Sequence, residues 1–81
     1  MILSNNIPSQ EDTLKNLEPH QYRLLNERAE LREKLEKLDL FIHSEAFPMV
    51  PPLECDRLQR QANHMGEYLN VLNERVAAIE A

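Results

Sequence analysis

The sequence predicts an all-α protein: an antiparallel helical hairpin with a short N-terminal helix, oligomerising into a helical bundle. Two patterns and the composition lead there. Cys55, Leu58, Ala62, Met65, Leu69, Leu72, Val76 and Ile79 are apolar or small and recur in alternating steps of three and four. On an α-helix that spacing puts all of them on one face, the a and d positions of a heptad. A second stripe with the same rhythm runs through Leu24, Arg28, Leu31, Leu35, Leu38 and Ile42, with Arg28 its one charged member. A single glycine, no tryptophan and an abundance of Leu, Glu, Lys, Arg and Gln favour helix, and no strand is expected.

Residues 1–18 are expected to form a flexible N-terminus in which Ser9 and Asp12 stand at capping-box spacing, so a short helix from about Gln10 to Asn16 is expected, with Leu14 and Leu17 its buried residues. Residues 19–81 are the hairpin domain. Pro19 either bends the preceding segment or begins a new helix, since proline is tolerated only in the first turn, and the first helix of the hairpin is expected at about 19–43. Glu30 with Lys34 and Glu33 with Lys37 are favourable pairs on its solvated side. The stretch SEAFPMVPPL holds three of the five prolines and cannot continue the helix. Phe47, Met49 and Val50 are too apolar for an idle loop, so it either folds back over the hairpin end or docks on another subunit. A second helix, about 53–80, then returns. The two helices, roughly 38 and 40 Å long, pack side by side in opposite directions.

Length and charge narrow the functional classes. At 81 residues a single core is only marginally sufficient, which favours association. The stripes account for one helix partner, whereas Tyr22, Leu25, Phe47, Val50 and Val71 are left over, so more than one chain per particle is expected. A net charge of −5 disfavours double-stranded DNA as a partner, since phosphate neutralisation needs a basic face. A compact phosphate ligand needs only two or three well-placed cations. One cysteine allows no internal disulfide, and no apolar run approaches a membrane span of about 18 residues. A cytoplasmic protein that meets no membrane is expected.

Reversed packing sets the g positions of the two helices side by side. His20, Glu27, Lys34 and Phe41 then face Glu54, Gln61, Tyr68 and Arg75, with Lys34 near Tyr68, Phe41 near Gln61, and Glu27 bridged to Arg75. This column is either an amphipathic edge that packs on a neighbour or a ligand edge. In the second case Tyr68 offers a stacking face, Gln61 an amide, and Lys34 or Arg75 a phosphate contact; Arg57 and Arg60 are further cations nearby. Gly66, inside a helix, either marks close approach of another backbone or is a tolerated surface glycine. His20, His43 and His64 have no metal-site spacing, and Cys55 reads as a small buried hydrophobe. Without a Gly-rich phosphate loop, an HExxH run or a nucleophile elbow, the expectation is no enzyme, no metal and no cofactor.

The run ERAELREKLEKLDLFI, followed by RLQRQANHMGEYLNVLNERVAAI, resembles a family of very small phage helical-hairpin proteins first annotated from a crAss-like phage. The matching positions are Glu27, Arg28, Leu31, Lys37, Leu38, Phe41 and Ile42, then Leu58, Gln61, Met65, Tyr68, Leu72 and Arg75. That hairpin is similar to the one in anti-CBASS and anti-Thoeris sponge proteins, which form homo-oligomers, often hexamers, and sequester cyclic nucleotides or cyclic ADP-ribose-type signals. The resemblance implies capture of a small nucleotide signal between subunits, without catalysis, in an infected bacterial cell. Lys34, Arg57 or Arg75 would hold phosphate, Phe41 or Tyr68 would stack on a base, and Gln61 would hydrogen-bond. The alternative is a helical module that binds and inhibits a host or phage protein through its apolar edges and proline-rich connection.

Overall fold

A computed structural model describes residues 17–80. Helix α1 spans Pro19–Ile42 and helix α2 spans Pro52–Glu80, joined by a connection with one 3₁₀ turn, Phe47–Met49. The two helices pack against each other, and the described residues contain no strand. The expected short helix at 10–16 lies outside the described residues.

Proline opens both helices, as its fixed φ and missing N–H dictate. Ahead of α1, the Glu18 N–H donates to Gln21 Oε1 at 2.8 Å, so a side chain three residues on ties down the entering backbone. Carbonyls left over at the far end of α1 are also taken up locally. His43 N–H donates to the Asp39 carbonyl at 3.1 Å, and Ser44 Oγ donates to the Phe41 carbonyl at 2.6 Å. The helix thus stops at Ile42 with its last turn satisfied.

Every residue of both apolar stripes is buried or half-buried. Complete burial is confined to one end: Leu24, Leu31, Leu72 and Val76 form the core, with Leu25, Met65, Leu69 and Ile79 packed around it. These residues come from the first half of α1 and the second half of α2, so the core sits at the end away from the connection. Toward the connection Leu35, Leu38, Ile42, Leu58 and Ala62 are only half-buried.

The connection does fold back in part. Phe47 meets Phe41 edge to face, with ring centroids 5.9 Å apart, and Val50 is half-buried. The Cys55 thiol lies 3.5 Å from the Phe47 carbonyl and 3.4 Å from that of Val50, fastening the turn to the first turn of α2. Met49 points outward at 85% exposure.

Gly66 sits within α2, and a Cβ built there would meet nothing within 4 Å. No contact among the described residues therefore requires a glycine. Gly66→Ala is expected to stabilise the hairpin by about 0.5–1 kcal/mol through helix propensity. Thermal melts followed by circular dichroism at high dilution, where self-association contributes nothing, should show a rise of several degrees.

Candidate functional site

The seam has two edges, and each carries a groove. Along α1, Arg23, Glu27, Glu30 and Lys34 recur in steps of four, three and four, which places them on one strip beside the seam. With Asn26, Leu31 and Tyr68 of α2 they line a groove of about 470 Å³. Leu31, one of the four core residues, forms part of its apolar wall. Lys34 and Tyr68 therefore share one groove, which follows from their facing g positions in a reversed pairing.

The groove's chemistry is mixed. Arg23 and Lys34 are eleven residues apart, roughly 16 Å along the helix axis, and between them stand the Glu27 and Glu30 carboxylates. Among the described residues neither Arg23 nor Lys34 is engaged in an ion pair, since the pairs that form join Glu33 to Lys37, Asp39 to His43, Glu54 to Arg57, Asp56 to Arg60 and His64 to Glu67. Both are thus available to an anionic ligand. Tyr68 is 44% exposed, with its ring accessible from the groove. Such a strip can stack a planar ring, hold phosphate at its cationic positions and accept hydrogen bonds from hydroxyls or amines at its carboxylates.

The other four residues proposed for ligand binding do not line this groove. Phe41 is engaged edge to face with Phe47. Arg57 Nε donates to Glu54 Oε1 at 3.2 Å, one turn back on the same helix. Gln61 points its amide along α2 toward Met65 Sδ at 3.8 Å. Arg75 lies in neither groove and, among the described residues, in no ion pair.

The expected Glu27–Arg75 bridge does not form; the ion pairs among the described residues all lie within single helices or at their ends. An exposed cross-helix pair gains about 0–1 kcal/mol, which hardly offsets holding two long side chains in one geometry. Glu30 and Lys34 do not pair either, and both line the groove instead. Arg23, Asn26 and Glu30 are groove residues that the heptad columns pass over. A signal for them exists in the spacing: each stands three or four residues from another member of the strip or next to the g column.

The opposite edge carries a second groove of about 450 Å³, where Arg32, Leu35, Glu36 and Asp39 of α1 face Ala62, Asn63 and Leu69 of α2. Among the described residues no three His, Cys, Asp or Glu side chains gather as a metal site, and no helix is long and apolar enough to cross a membrane.

A family model described as Sequestin matches residues 18–78, which takes in α1, the connection and all but the last two residues of α2. No curated protein and no solved structure matches the chain.

Proposed function

The chain belongs to the Sequestin family, and from that premise we propose that it is a non-catalytic sequestering protein, a phage anti-defence sponge that removes a nucleotide immune signal from solution. The family name suggests sequestering as the activity. The observation that carries the nucleotide reading is the single groove lined by Tyr68, Lys34 and Arg23. A base stacks on the Tyr68 ring, Lys34 and Arg23 hold phosphate, and Glu27 or Glu30 accepts from ribose hydroxyls. The signal is of the cyclic oligonucleotide or cyclic ADP-ribose type, and the working form is a homo-oligomer. Phe41, Arg57, Gln61 and Arg75 stand outside this groove and are not part of the proposed contact set.

The test is retention without turnover. Purified protein is mixed with a panel of cyclic di- and trinucleotides and cyclic ADP-ribose isomers, filtered, and then denatured. At least one compound should vanish from the filtrate and return intact, by mass, after denaturation. A panel that passes through untouched, or returns cleaved, overturns the proposal.

A second reading, docking on a host or phage protein, is favoured by the apolar residues exposed around the connection: Leu40, Met49 and Leu53. Capture of one stoichiometric protein partner, with no small molecule bound, would select it.

A further inference from the structure

We infer that Glu27 and Glu30 are the specificity-determining residues of the Tyr68 groove. They select a ligand that presents a free ribose 2′,3′-diol, as ADP-ribose and its cyclic forms do, over one whose riboses are closed into 3′–5′ phosphodiesters. This rests on the sponge reading above and narrows it to one class of ligand.

Two like charges stand side by side in the groove with no counter-charge engaged. Glu27 and Glu30 are three residues apart on α1, which makes their side chains neighbours, about 5–6 Å apart at Cβ. Each also has a cation four residues away, Arg23 for Glu27 and Lys34 for Glu30, a spacing at which ion pairs readily close. Neither closes. Among the described residues neither carboxylate takes part in an ion pair or a side-chain hydrogen bond. Both line the groove, Glu27 half-buried and Glu30 exposed. Neighbouring carboxylates repel each other and weaken a helix, so the packing of the hairpin does not account for the pair.

What the pair can take follows from charge and hydrogen-bonding capacity. An ionised carboxylate only accepts, so its partner must donate. A ribose with both hydroxyls free offers two donors on adjacent carbons, one for each carboxylate. In dinucleotide sites a carboxylate takes the ribose 2′-hydroxyl, and an arginine serves where that oxygen carries phosphate. ADP-ribose and its cyclic forms join their riboses 5′ to 5′ through pyrophosphate, which leaves the diol of at least one ribose free and keeps the anionic bridge away from it. A 3′–5′ cyclic dinucleotide has one free hydroxyl per ribose, and the adjacent 3′-oxygen belongs to a phosphodiester. With one carboxylate on that hydroxyl, the other faces a phosphate, and like charges set together cost binding.

The rest of the groove suits the same ligand. Its cations, Arg23 and Lys34, stand on either side of the carboxylate pair along α1, so pyrophosphate has a place outside it. Tyr68 supplies a face for adenine.

Titration calorimetry with cyclic ADP-ribose and with 3′,3′-cyclic di-AMP tests this, on wild type and on a double variant carrying Glu27→Gln and Glu30→Gln. Both ligands contain adenine, so stacking on Tyr68 is common to them. Wild type should bind cyclic ADP-ribose at least tenfold more tightly than cyclic di-AMP. Glutamine keeps the shape of glutamate and removes its charge, so the fold is retained, which circular dichroism verifies. In the double variant cyclic ADP-ribose should weaken about tenfold while cyclic di-AMP binds more tightly. Loss of structure would weaken both. A wild type without preference for cyclic ADP-ribose, or a double variant that weakens both ligands alike, overturns the inference and leaves the sponge reading standing. Binding of neither ligand also overturns it, and the sponge reading falls as well only if the full panel above passes through.

Discussion

Replacing Leu72 by alanine should lower the stability of the hairpin by about 3 kcal/mol, the middle of the range for truncating a fully buried leucine. Among the described residues Leu72, 0% exposed, is the largest side chain wholly out of water. A chain of this size has on the order of 4–12 kcal/mol of total stability, so the loss is a large share of the whole. The melting temperature should fall by roughly 12–24 °C. Leu40→Ala, at a position 73% exposed, serves as the control and should change little. Thermal melts of the two variants side by side decide the matter. If Leu72→Ala melts where Leu40→Ala does, the core is not where the structure puts it.

The second large effect concerns the ligand groove. Removing the Tyr68 ring costs about 1–3 kcal/mol of base stacking, and removing the Lys34 ammonium costs about 1.5–3 kcal/mol of charge-assisted contact. The two side chains share one groove, so their losses are coupled rather than independent. For the double variant Tyr68→Ala with Lys34→Ala we expect about 3–5 kcal/mol, an affinity loss of roughly two to four orders of magnitude. Titration calorimetry with a retained nucleotide measures it. Phe41→Ala, whose ring is occupied by Phe47, should bind almost as wild type does. Equal weakening by Phe41→Ala and the double variant would move the site toward the connection.

Much of the architecture was legible because two independent signals agreed. The three-four rhythm marked which faces meet, and Pro19 marked where the first helix begins, since proline lacks the N–H that an interior turn needs, while the start of the second, placed at about 53, lies at Pro52. The pairing of Lys34 with Tyr68 followed from the same geometry. The connection was less legible. Cys55 sits on the seam stripe, yet its thiol reaches back to two carbonyls of the turn, a local contact with no periodic signature. Periodicity also treats all stripe positions alike and did not show that burial is complete only near Leu24, Leu31, Leu72 and Val76. For the site, the heptad columns found the residues nearest the seam but passed over Arg23, Asn26 and Glu30, one step toward solvent. The fates of Glu27 and Lys34 were beyond the pattern because rotamers, rather than spacing, decide whether an exposed pair closes.

That concentration of burial at the unconnected ends has an evolutionary consequence. The helices are clasped where no peptide bond joins them, so the linker contributes little to holding them together. Doubling its length would cost only about 0.6 kcal/mol in closure entropy. The tip carrying Met49 and Leu53 is therefore free to diversify while the clasp stays unchanged.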